Sequence, residues 1–213
     1  MDVWNRVLLI GNSPRCSRDL VRQLAKTADF ILAVDGGADN ARRCGVKPNT
    51  VIGDLDSVSA TARQKWPDIP FLFVDNQNNT DLQKALDYLV AHRCRTCTLV
   101  GFHGGRIDFS IGNFLALYPY AKKMELCVVG DGWKMYPLCT PKTFTAPTGT
   151  RVSLLPLTTC SGVTLSGLKY LLKNARLTLG TTRTLSNQTT RERFSVSINR
   201  GFLLVYIEQK AQN

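Results

Sequence analysis

Short apolar runs alternate with longer amphipathic stretches along the first two thirds of the chain. Each run is about as long as a buried strand; the runs are Val7–Ile10, Phe30–Val34, Thr50–Ile52, Phe71–Val74, Thr98–Val100 and Leu126–Val129. The stretches between them predict helices over Ser17–Thr27, Ala38–Cys44, Ala60–Lys65, Asp81–His92 and Ser110–Ala121. This alternation predicts an α/β N-terminal domain with a mostly parallel sheet and helices on both faces.

The stretch Asp81–His92 carries the clearest helix pattern. Thr80 and Gln83 form a capping-box pair at its start. Its apolar residues fall on one helical face, as expected for a helix packed against a core; they are Leu82, Ala85, Leu86, Leu89 and Val90.

The pattern changes at about Trp133, where helical periodicity ends. Four short β-type runs follow: Arg151–Leu155, Gly162–Leu165, Phe194–Ile198 and Phe202–Ile207. Strands of this length between turns predict a small all-β sandwich domain. The turn Asn199-Arg200-Gly201 predicts a hairpin joining the last two strands. We therefore expect two domains, residues 1–139 and 140–213.

The composition is that of an ordinary globular protein, with 44% hydrophobic and 20% charged residues. The apolar runs are far shorter than the roughly 20 residues of a membrane-spanning helix, and residues 1–6 lack a signal-peptide pattern. The seven cysteines are scattered, and Cys94-x-x-Cys97 has no second pair to complete a zinc site. We expect a cytoplasmic protein with reduced thiols and no membrane partner.

The formal net charge of +11 makes nucleic acid a partner to consider. The excess lies in residues 140–213, which hold 10 Lys/Arg and 2 Asp/Glu. A basic binding module would show salt-sensitive binding and would not need the carboxylates of the first domain. The interleaved aromatic and basic residues of an RNA-binding sheet are missing, so we expect no nucleic-acid partner.

Glycine or aspartate lies at or near the end of each predicted strand of the first domain. The turns are Gly11-Asn12-Ser13-Pro14, Asp35-Gly36-Gly37, Gly53-Asp54-Leu55-Asp56, Asp75 followed by Thr80-Asp81, Gly101–Asp108 and Gly130-Asp131. Parallel strands bring such turns to one sheet edge, where open α/β sheets bind ligands. Glycines let the backbone approach phosphate, whereas aspartates repel phosphate unless a cation lies between. The edge predicts a metal–nucleotide site, although neither common glycine-rich nucleotide motif is present.

The turn Gly53-Asp54-Leu55-Asp56-Ser57 is the centre of this prediction. Asp54 and Asp56 can direct two carboxylates at one point. Mg²⁺ accepts one or two carboxylates and leaves positions open for substrate phosphates. The alternative is an acidic turn in which Asp56 or Ser57 caps the next helix.

The turns also carry a series of motifs in a fixed order. They are D-G-G-A at 35–38, G-D-x-D-S at 53–57, T-D-x-x-K-A-L at 80–86, G-G-R-x-D at 104–108, S-G-L-K-Y at 166–170 and Ser186-Asn187. In order, spacing and length they resemble the thiamine pyrophosphokinase family across nearly the whole chain. The resemblance implies an α/β domain followed by a β-sandwich, and a homodimer. It also implies Mg²⁺-dependent transfer of the pyrophosphoryl group of ATP to the hydroxyl of thiamine, giving thiamine diphosphate and AMP.

The resemblance implies roles for individual residues. The metal and catalytic carboxylates would be Asp54, Asp56 and Asp81, with Lys84 as the catalytic cation. The nucleotide-binding residues would be Asp35, Gly36, Thr80, Gly104, Gly105, Arg106 and Asp108, with Asp35 in the acidic cluster. The thiamine-binding residues, reached from the partner subunit, would be Tyr170, Ser186 and Asn187.

Several of these residues also have a purely structural interpretation. Lys84 can form a surface ion pair with Asp81 or Asp87, each three residues away on the helix. Arg106 can pair with Asp108 in the loop, and Tyr170 can pack in the core of the sandwich.

Two positions depart from the family pattern. Phe109 stands where the G-G-R-x-D motif usually continues with histidine, although His103 lies nearby in sequence. Tyr170 stands where tryptophan is common. These departures keep a second enzyme hypothesis open, a related pyrophosphokinase or nucleotidyl transferase that acts on another alcohol.

Overall fold

The computed structural model describes residues 4–209, and the chain divides into two compact units between Asp131 and Gly132. This division lies a little before the expected boundary at 139/140. Residues 1–3, part of the stretch on which the signal-peptide expectation rests, and residues 210–213 lie outside the described part. Within that part, no helix combines the length and the apolarity needed to cross a membrane.

The first unit alternates strands and helices, as the hydrophobic pattern predicts. Its strands are β1 (Arg6–Ile10), β2 (Phe30–Val34), β3 (Thr50–Gly53), β4 (Phe71–Phe73), β5 (Thr96–Val100) and β6 (Glu125–Gly130). Its helices are α1 (Arg18–Ala25), α2 (Gly37–Cys44), α3 (Ala60–Lys65), α4 (Asp81–Ala91) and α5 (Ile107–Ala116). All neighbouring strands pair in parallel. The predicted α/β domain with a mostly parallel sheet is confirmed.

The winding of this sheet reverses at β1. The strand order is β6-β5-β1-β2-β3-β4, so the chain proceeds from β1 to β4 in one direction and then places β5 on the other side of β1. Loops leaving the carboxyl ends of β1 and β5 diverge at such a point and open a crevice for ligands. At their ends, before the loops diverge, the two strands lie close together. A Cβ on Gly11 would lie only 2.5 Å from the carbonyl oxygen of Gly101, so there is room only for glycine.

Helix α4 begins with the capping box that the sequence predicts. The Thr80 hydroxyl accepts from the Gln83 N–H at 3.4 Å, and the Gln83 side-chain oxygen accepts from the Thr80 N–H at 3.2 Å. The predicted apolar face is buried at Leu82, Ala85, Leu86 and Leu89. These contacts fix the direction of the first turn, which carries Asp81.

Helix α5 is displaced relative to its predicted range, since it covers Ile107–Ala116 rather than Ser110–Ala121. It ends early because Pro119 disfavours helical geometry in the residue before it. It begins early with Asp108 in its first turn, where a carboxylate interacts favourably with the helix dipole. The start of α5 therefore follows directly on the glycine-rich turn.

The second unit is built of two antiparallel sheets. Its strands are β7 (Trp133–Leu138), β8 (Lys142–Thr145), β9 (Arg151–Pro156), β10 (Cys160–Ser166), β11 (Ala175–Leu177), β12 (Asn187–Gln188), β13 (Arg193–Ser197) and β14 (Leu203–Glu208). Their orders are β12-β9-β14-β7 and β11-β10-β13-β8. One buried cluster draws on both sheets, with Leu154 and Val205 from the first and Phe144 and Phe194 from the second. The predicted small antiparallel domain is confirmed.

The predicted hairpin at Asn199–Gly201 is wrong. Strand β13 pairs with β8 and β10, whereas β14 pairs with β7 and β9, so the segment links the two sheets. Gly201 has φ of 112°, and a Cβ there would lie 2.7 Å from the Cα of Cys160. The glycine therefore permits a close crossing of two backbones and does not form a hairpin turn.

All seven cysteines lie in the described part of the chain, and none of them forms a disulfide. Cys94 lies two residues before β5, Cys97 is the second residue of that strand, and both are buried. Burial raises the pKa of the Cys94 thiol to about 11 and raises the pKa of Cys97 well above its usual value. Both therefore stay protonated at neutral pH, as expected for structural thiols.

Candidate active site

A cleft of about 460 Å³ lies at the carboxyl ends of the parallel strands. Its walls come from the loops after β1, β2, β3 and β5 and from the first turns of α4 and α5. The expected site residues that line it are Asp35, Asp54, Asp56, Thr80, Asp81, Gly104, Gly105 and Arg106. The expected residues Gly36, Lys84 and Asp108 are not among its lining residues. A volume of this size suits a phosphorylated small molecule.

Three carboxylates converge in the cleft. One oxygen from each of Asp35, Asp54 and Asp81 lies within 4.8 Å of the other two. The backbone N–H of Asp54 donates to Oδ1 of Asp81 at 3.3 Å, which ties the end of β3 to the start of α4. Carboxylate oxygens grouped in this way are the donors that Mg²⁺ prefers, so the donor set fits that ion.

Unusual backbone geometry holds this carboxylate cluster together. Asp35 has φ of 46° and Leu55 has φ of 63°, conformations that cost about 1–3 kcal/mol and concentrate at functional sites. Gly53 has φ of 152°, and a Cβ there would lie 3.0 Å from Cβ of Asp35 and 3.3 Å from Oδ1 of Asp81. Leu55 keeps its strained geometry because its side chain packs on the core and its carbonyl accepts from Arg63 at 3.0 Å.

Lys84 places a buried ammonium against the carboxylates. Its side chain is 3% exposed, and Nζ lies 2.8 Å from Oδ1 of Asp81 and 3.8 Å from Oδ2 of Asp54. Burial alone would lower the pKa of Lys84, but the hydrogen bond to Asp81 and the charges of Asp81, Asp54 and Asp35 outweigh it and raise the pKa. The interpretation as a surface pair is therefore wrong, since this cation is enclosed and stays protonated.

Burial also raises the pKa of the Asp35 carboxyl, and the nearby Asp81 charge adds to this. Hydrogen bonds from Gly36 and Ser57 act in the opposite direction without cancelling it. A bound cation would favour the ionised form of Asp35.

Asp56 lies apart from this group. It is exposed, lines the cleft and accepts a 2.9 Å hydrogen bond from the Ser57 hydroxyl. Its expected role at a metal stays a prediction. The alternative in which Asp56 or Ser57 caps the next helix is wrong, because the cap of α3 is Ser59, whose hydroxyl accepts from the Ala62 N–H at 3.1 Å.

The glycine-rich turn before α5 carries Arg106 on the rim of the cleft. Gly104 and Gly105 have φ of 86° and 76°, which favours glycine at both positions. The guanidinium of Arg106 pairs with both oxygens of Asp108, at 3.1 and 2.5 Å. This hydrogen bond raises the pKa of Arg106 and lowers the pKa of Asp108. The expected pairing in the loop is thus present, and both side chains remain largely exposed.

A buried asparagine anchors the first loop of the cleft. Asn40, on α2, donates from Nδ2 to the carbonyls of Gly11 and Ser13 at 2.7 and 2.9 Å. The Ser13 hydroxyl in turn donates to the carbonyl of His103 in the loop after β5. These positioning roles could not be predicted from the sequence, because a polar residue inside a helix is usually solvated.

The three expected thiamine-binding residues come together in the second unit. Tyr170, Ser186 and Asn187 line a cavity of about 270 Å³. The charged residues Arg151, Lys169 and Glu208 line the same cavity and were not predicted from the sequence. Arg151 and Glu208 lie on β9 and β14 and form a 3.5 Å ion pair. Arg151 and Glu208 are brought together by the pairing of two strands that are distant in sequence.

Asn187 holds the backbone of Tyr170 at both ends. Its Oδ1 accepts from the Tyr170 N–H at 3.0 Å, and its Nδ2 donates to the Tyr170 carbonyl at 2.7 Å. Asn187 is 4% exposed, whereas Tyr170 is 61% exposed. The interpretation of Tyr170 as a core aromatic is therefore wrong, because its ring is presented to solvent at the cavity.

Ser186 contributes through its backbone. It has φ of 57°, and its N–H donates to the Ser153 hydroxyl at 2.9 Å. Ser153 is buried on β9. The bond therefore fixes an irregular turn against a regular strand.

Two family models match successive parts of the chain. The model described as thiamin pyrophosphokinase, catalytic domain, matches residues 21–128, and the model described as thiamin pyrophosphokinase, vitamin B1 binding domain, matches residues 140–203. A thiamine pyrophosphokinase of Bacillus subtilis is 28% identical over 181 residues, which cover 82% of this chain and 85% of that protein. Thiamine pyrophosphokinase 2 of Oryza sativa is 27% identical over 231 residues, covering 92% and 83%.

Solved structures show the same fold. The crystal structure of thiamine pyrophosphokinase from Bacillus subtilis superimposes with a TM-score of 0.85 at 23% identity, covering 97% of this chain and all of that one (100%). The thiamin pyrophosphokinase of Geobacillus thermodenitrificans gives a TM-score of 0.83 at 26% identity, covering 97% and 99%. The similarity therefore extends over both units.

Proposed function

Because this chain belongs to the thiamin pyrophosphokinase family, we propose that it transfers the pyrophosphoryl group of ATP to the hydroxyl of thiamine. The products are thiamine diphosphate and AMP, and the reaction depends on Mg²⁺. The observation that carries the proposal is the group formed by Asp35, Asp54, Asp81 and the buried Lys84 beside a cleft of about 460 Å³. Carboxylates with an enclosed cation are suited to polyphosphate chemistry.

The oxygen donors of Asp35, Asp54 and Asp81 would hold Mg²⁺, and Asp56 lines the same cleft as a further donor. The ion would neutralise the negative charge of the phosphates. Without it, the carboxylates would repel them. The neighbouring nucleotide-binding wall is formed by Thr80, Gly104, Gly105 and Arg106. Gly36 and Asp108 do not line the cleft and support this wall from adjacent positions.

In the reaction, the hydroxyl oxygen of thiamine attacks the β-phosphorus of ATP. The new O–P bond forms as the bond between the β-phosphorus and the α–β bridging oxygen breaks, and AMP leaves with that oxygen. The attacking hydroxyl loses its proton, and the carboxylate of Asp81 is the acceptor that the site offers. Lys84 stays protonated and offsets the charge that develops on the transferred group. Catalysis is mainly positioning and charge stabilisation.

The cavity with Tyr170, Ser186 and Asn187 is the proposed thiamine subsite. The exposed ring of Tyr170 can stack on the cationic thiazolium or on the pyrimidine of thiamine. We assign residues 1–139 to nucleotide and metal binding and residues 140–213 to thiamine binding and dimerisation. The homodimer, the cytoplasmic location and the absence of a nucleic-acid partner rest on the family resemblance and the sequence.

A second candidate is a related transferase that acts on another alcohol, and Tyr170 in place of the common tryptophan is the feature that favours it. To distinguish the two, purified protein is incubated with ATP, Mg²⁺ and thiamine or other primary alcohols such as the thiazole alcohol alone. Thiamine diphosphate should form at a rate far above that of any other acceptor. Turnover of another alcohol without turnover of thiamine would overturn the proposed substrate.

A further inference from the structure

Phe109 is a large apolar residue that lies exposed beside the nucleotide cleft. Its side chain is 54% exposed, and it lines the cleft together with Arg106. The guanidinium carbon of Arg106 lies 4.3 Å from the centroid of the Phe109 ring. This is well inside the range of a cation–π contact.

Two neighbours thus hold the Arg106 side chain at once. Asp108 binds the guanidinium through both carboxylate oxygens, and Phe109 lies against its face. Arg106 is the N-cap residue of α5 and Phe109 lies in the first turn of the helix, so the two residues are close along the chain. Arg106 is 71% exposed at its side chain, so these two contacts limit the rotamers of an otherwise free arginine.

The contacts of Arg106 with Asp108 and with Phe109 differ in whether a bound anion would replace them. Asp108 occupies one edge of the guanidinium, the one formed by Nε and Nη2, whereas Cζ of the guanidinium lies over the Phe109 ring. A phosphate binds arginine through the same edge that binds a carboxylate. A phosphate can therefore replace Asp108 at the edge without displacing the aromatic ring from the face.

We propose that Phe109 is a positioning residue for nucleotide binding, which keeps Arg106 aimed across the cleft while its donors pass from Asp108 to the polyphosphate. This role rests on the proposed function, because it requires that the cleft binds ATP. The ring acts on the phosphates through Arg106 and makes no contact with the base of the nucleotide.

The test measures dissociation constants for ATP and for adenosine, with Mg²⁺ present and thiamine absent. Phe109→Leu should weaken ATP binding roughly two- to fivefold, the size of an exposed cation–π contact, and leave adenosine binding unchanged. Phe109→Tyr should bind ATP like the unsubstituted protein, because it keeps an aromatic face. Ile111→Ala is the matched control, since Ile111 is an equally exposed apolar residue of α5 that does not line the cleft.

The decisive comparison uses Arg106→Gln. In this background, Phe109→Leu should cause no further loss of ATP affinity, because the residue through which the ring acts is gone. A loss that persists with Arg106→Gln, or one that is equal for ATP and adenosine, would show base stacking or a structural effect and would overturn the proposal. Unchanged ATP affinity for Phe109→Leu would overturn it as well. Failure of the unsubstituted protein to bind ATP would instead overturn the proposed function, and the positioning role with it.

Discussion

The carboxylate cleft of the first unit and the tyrosine cavity of the second hold their key side chains in opposite ways. In the cleft, Asp54, Asp81 and Lys84 are joined by hydrogen bonds, and the Lys84 ammonium is enclosed. In the cavity, Asn187 fixes only the backbone of Tyr170, and the ring stays exposed. Groups that stabilise the charge of a transition state are more effective when they are held immobile. A ring that stacks on a ligand needs an open face.

This difference leads to different expectations for the two regions. Changes to the cleft should affect the rate of turnover, because the fixed charges act on the transferred group. Changes to the cavity should affect the affinity for the acceptor. Substitutions in each region test whether the effects on turnover and on acceptor affinity separate in this way.

Asp54→Asn should have the largest effect, a loss of turnover of roughly a thousandfold, because it removes one charge from the group that stabilises polyphosphate. Far-UV circular dichroism and thermal unfolding should remain as in the unsubstituted protein. Asp75→Asn is the matched control, since Asp75 is exposed after β4 and does not line the cleft. Near-normal turnover by Asp54→Asn would contradict the assignment of this cluster.

Asn187→Ala should lower the free energy of unfolding by roughly 2 kcal/mol. The substitution leaves the N–H and the carbonyl of Tyr170 without the partners that a nearly buried amide provides. Chemical denaturation measures the change. Gln188→Ala serves as the control, because Gln188 is exposed on the same strand. An equal loss in both variants would argue against a specific clamp on Tyr170.

Tyr170→Ala should raise the KM for thiamine roughly three- to tenfold, because it removes the exposed aromatic face. The KM for ATP should change much less. Leu171→Ala provides the comparison, since Leu171 is 64% exposed and adjacent but does not line the cavity. If both variants leave the thiamine KM unchanged, Tyr170 does not contact the acceptor.

On thermal stability, Asp35→Asn should have a small effect, a rise of about 1–3 °C in the unfolding midpoint of protein held in chelator at pH 7. The folded-state pKa of Asp35 is raised above its usual value of 3.8, so the folded protein binds the proton more tightly than the unfolded chain. Stability from this group is therefore present at low pH and declines as pH rises through the folded pKa. The advantage of the variant should shrink as pH falls towards 4. A larger stability advantage of the variant at low pH would contradict the assigned direction of the Asp35 pKa shift.

The sheet edge that carries the candidate site could be predicted from the sequence because it depends on local patterns. Apolar runs mark the parallel strands, and their carboxyl ends must share one edge of the sheet. The capping box at Thr80 and Gln83 fixes where Asp81 begins its helix. These features require only a few neighbouring residues, so the fold class and most of the carboxylates followed from them.

Features that depend on distant contacts could not be predicted. The left-handed backbone of Leu55 is maintained by packing and by Arg63 on the next helix. The bonds from Asn40 to the first loop join positions far apart in sequence. The failed hairpin at Asn199–Gly201 has the same cause, since the choice of partner strand is made by the core and not by the turn.

The central claim is that the acceptor attacks the β-phosphorus of ATP, and labelled ATP tests this directly. ATP carrying radioactive phosphorus at the β position is incubated with the protein, Mg²⁺ and thiamine, and the products are separated. All of the label should appear in thiamine diphosphate, with unlabelled AMP formed in equal amount. Label retained in ADP, together with formation of thiamine monophosphate, would contradict pyrophosphoryl transfer by this cleft.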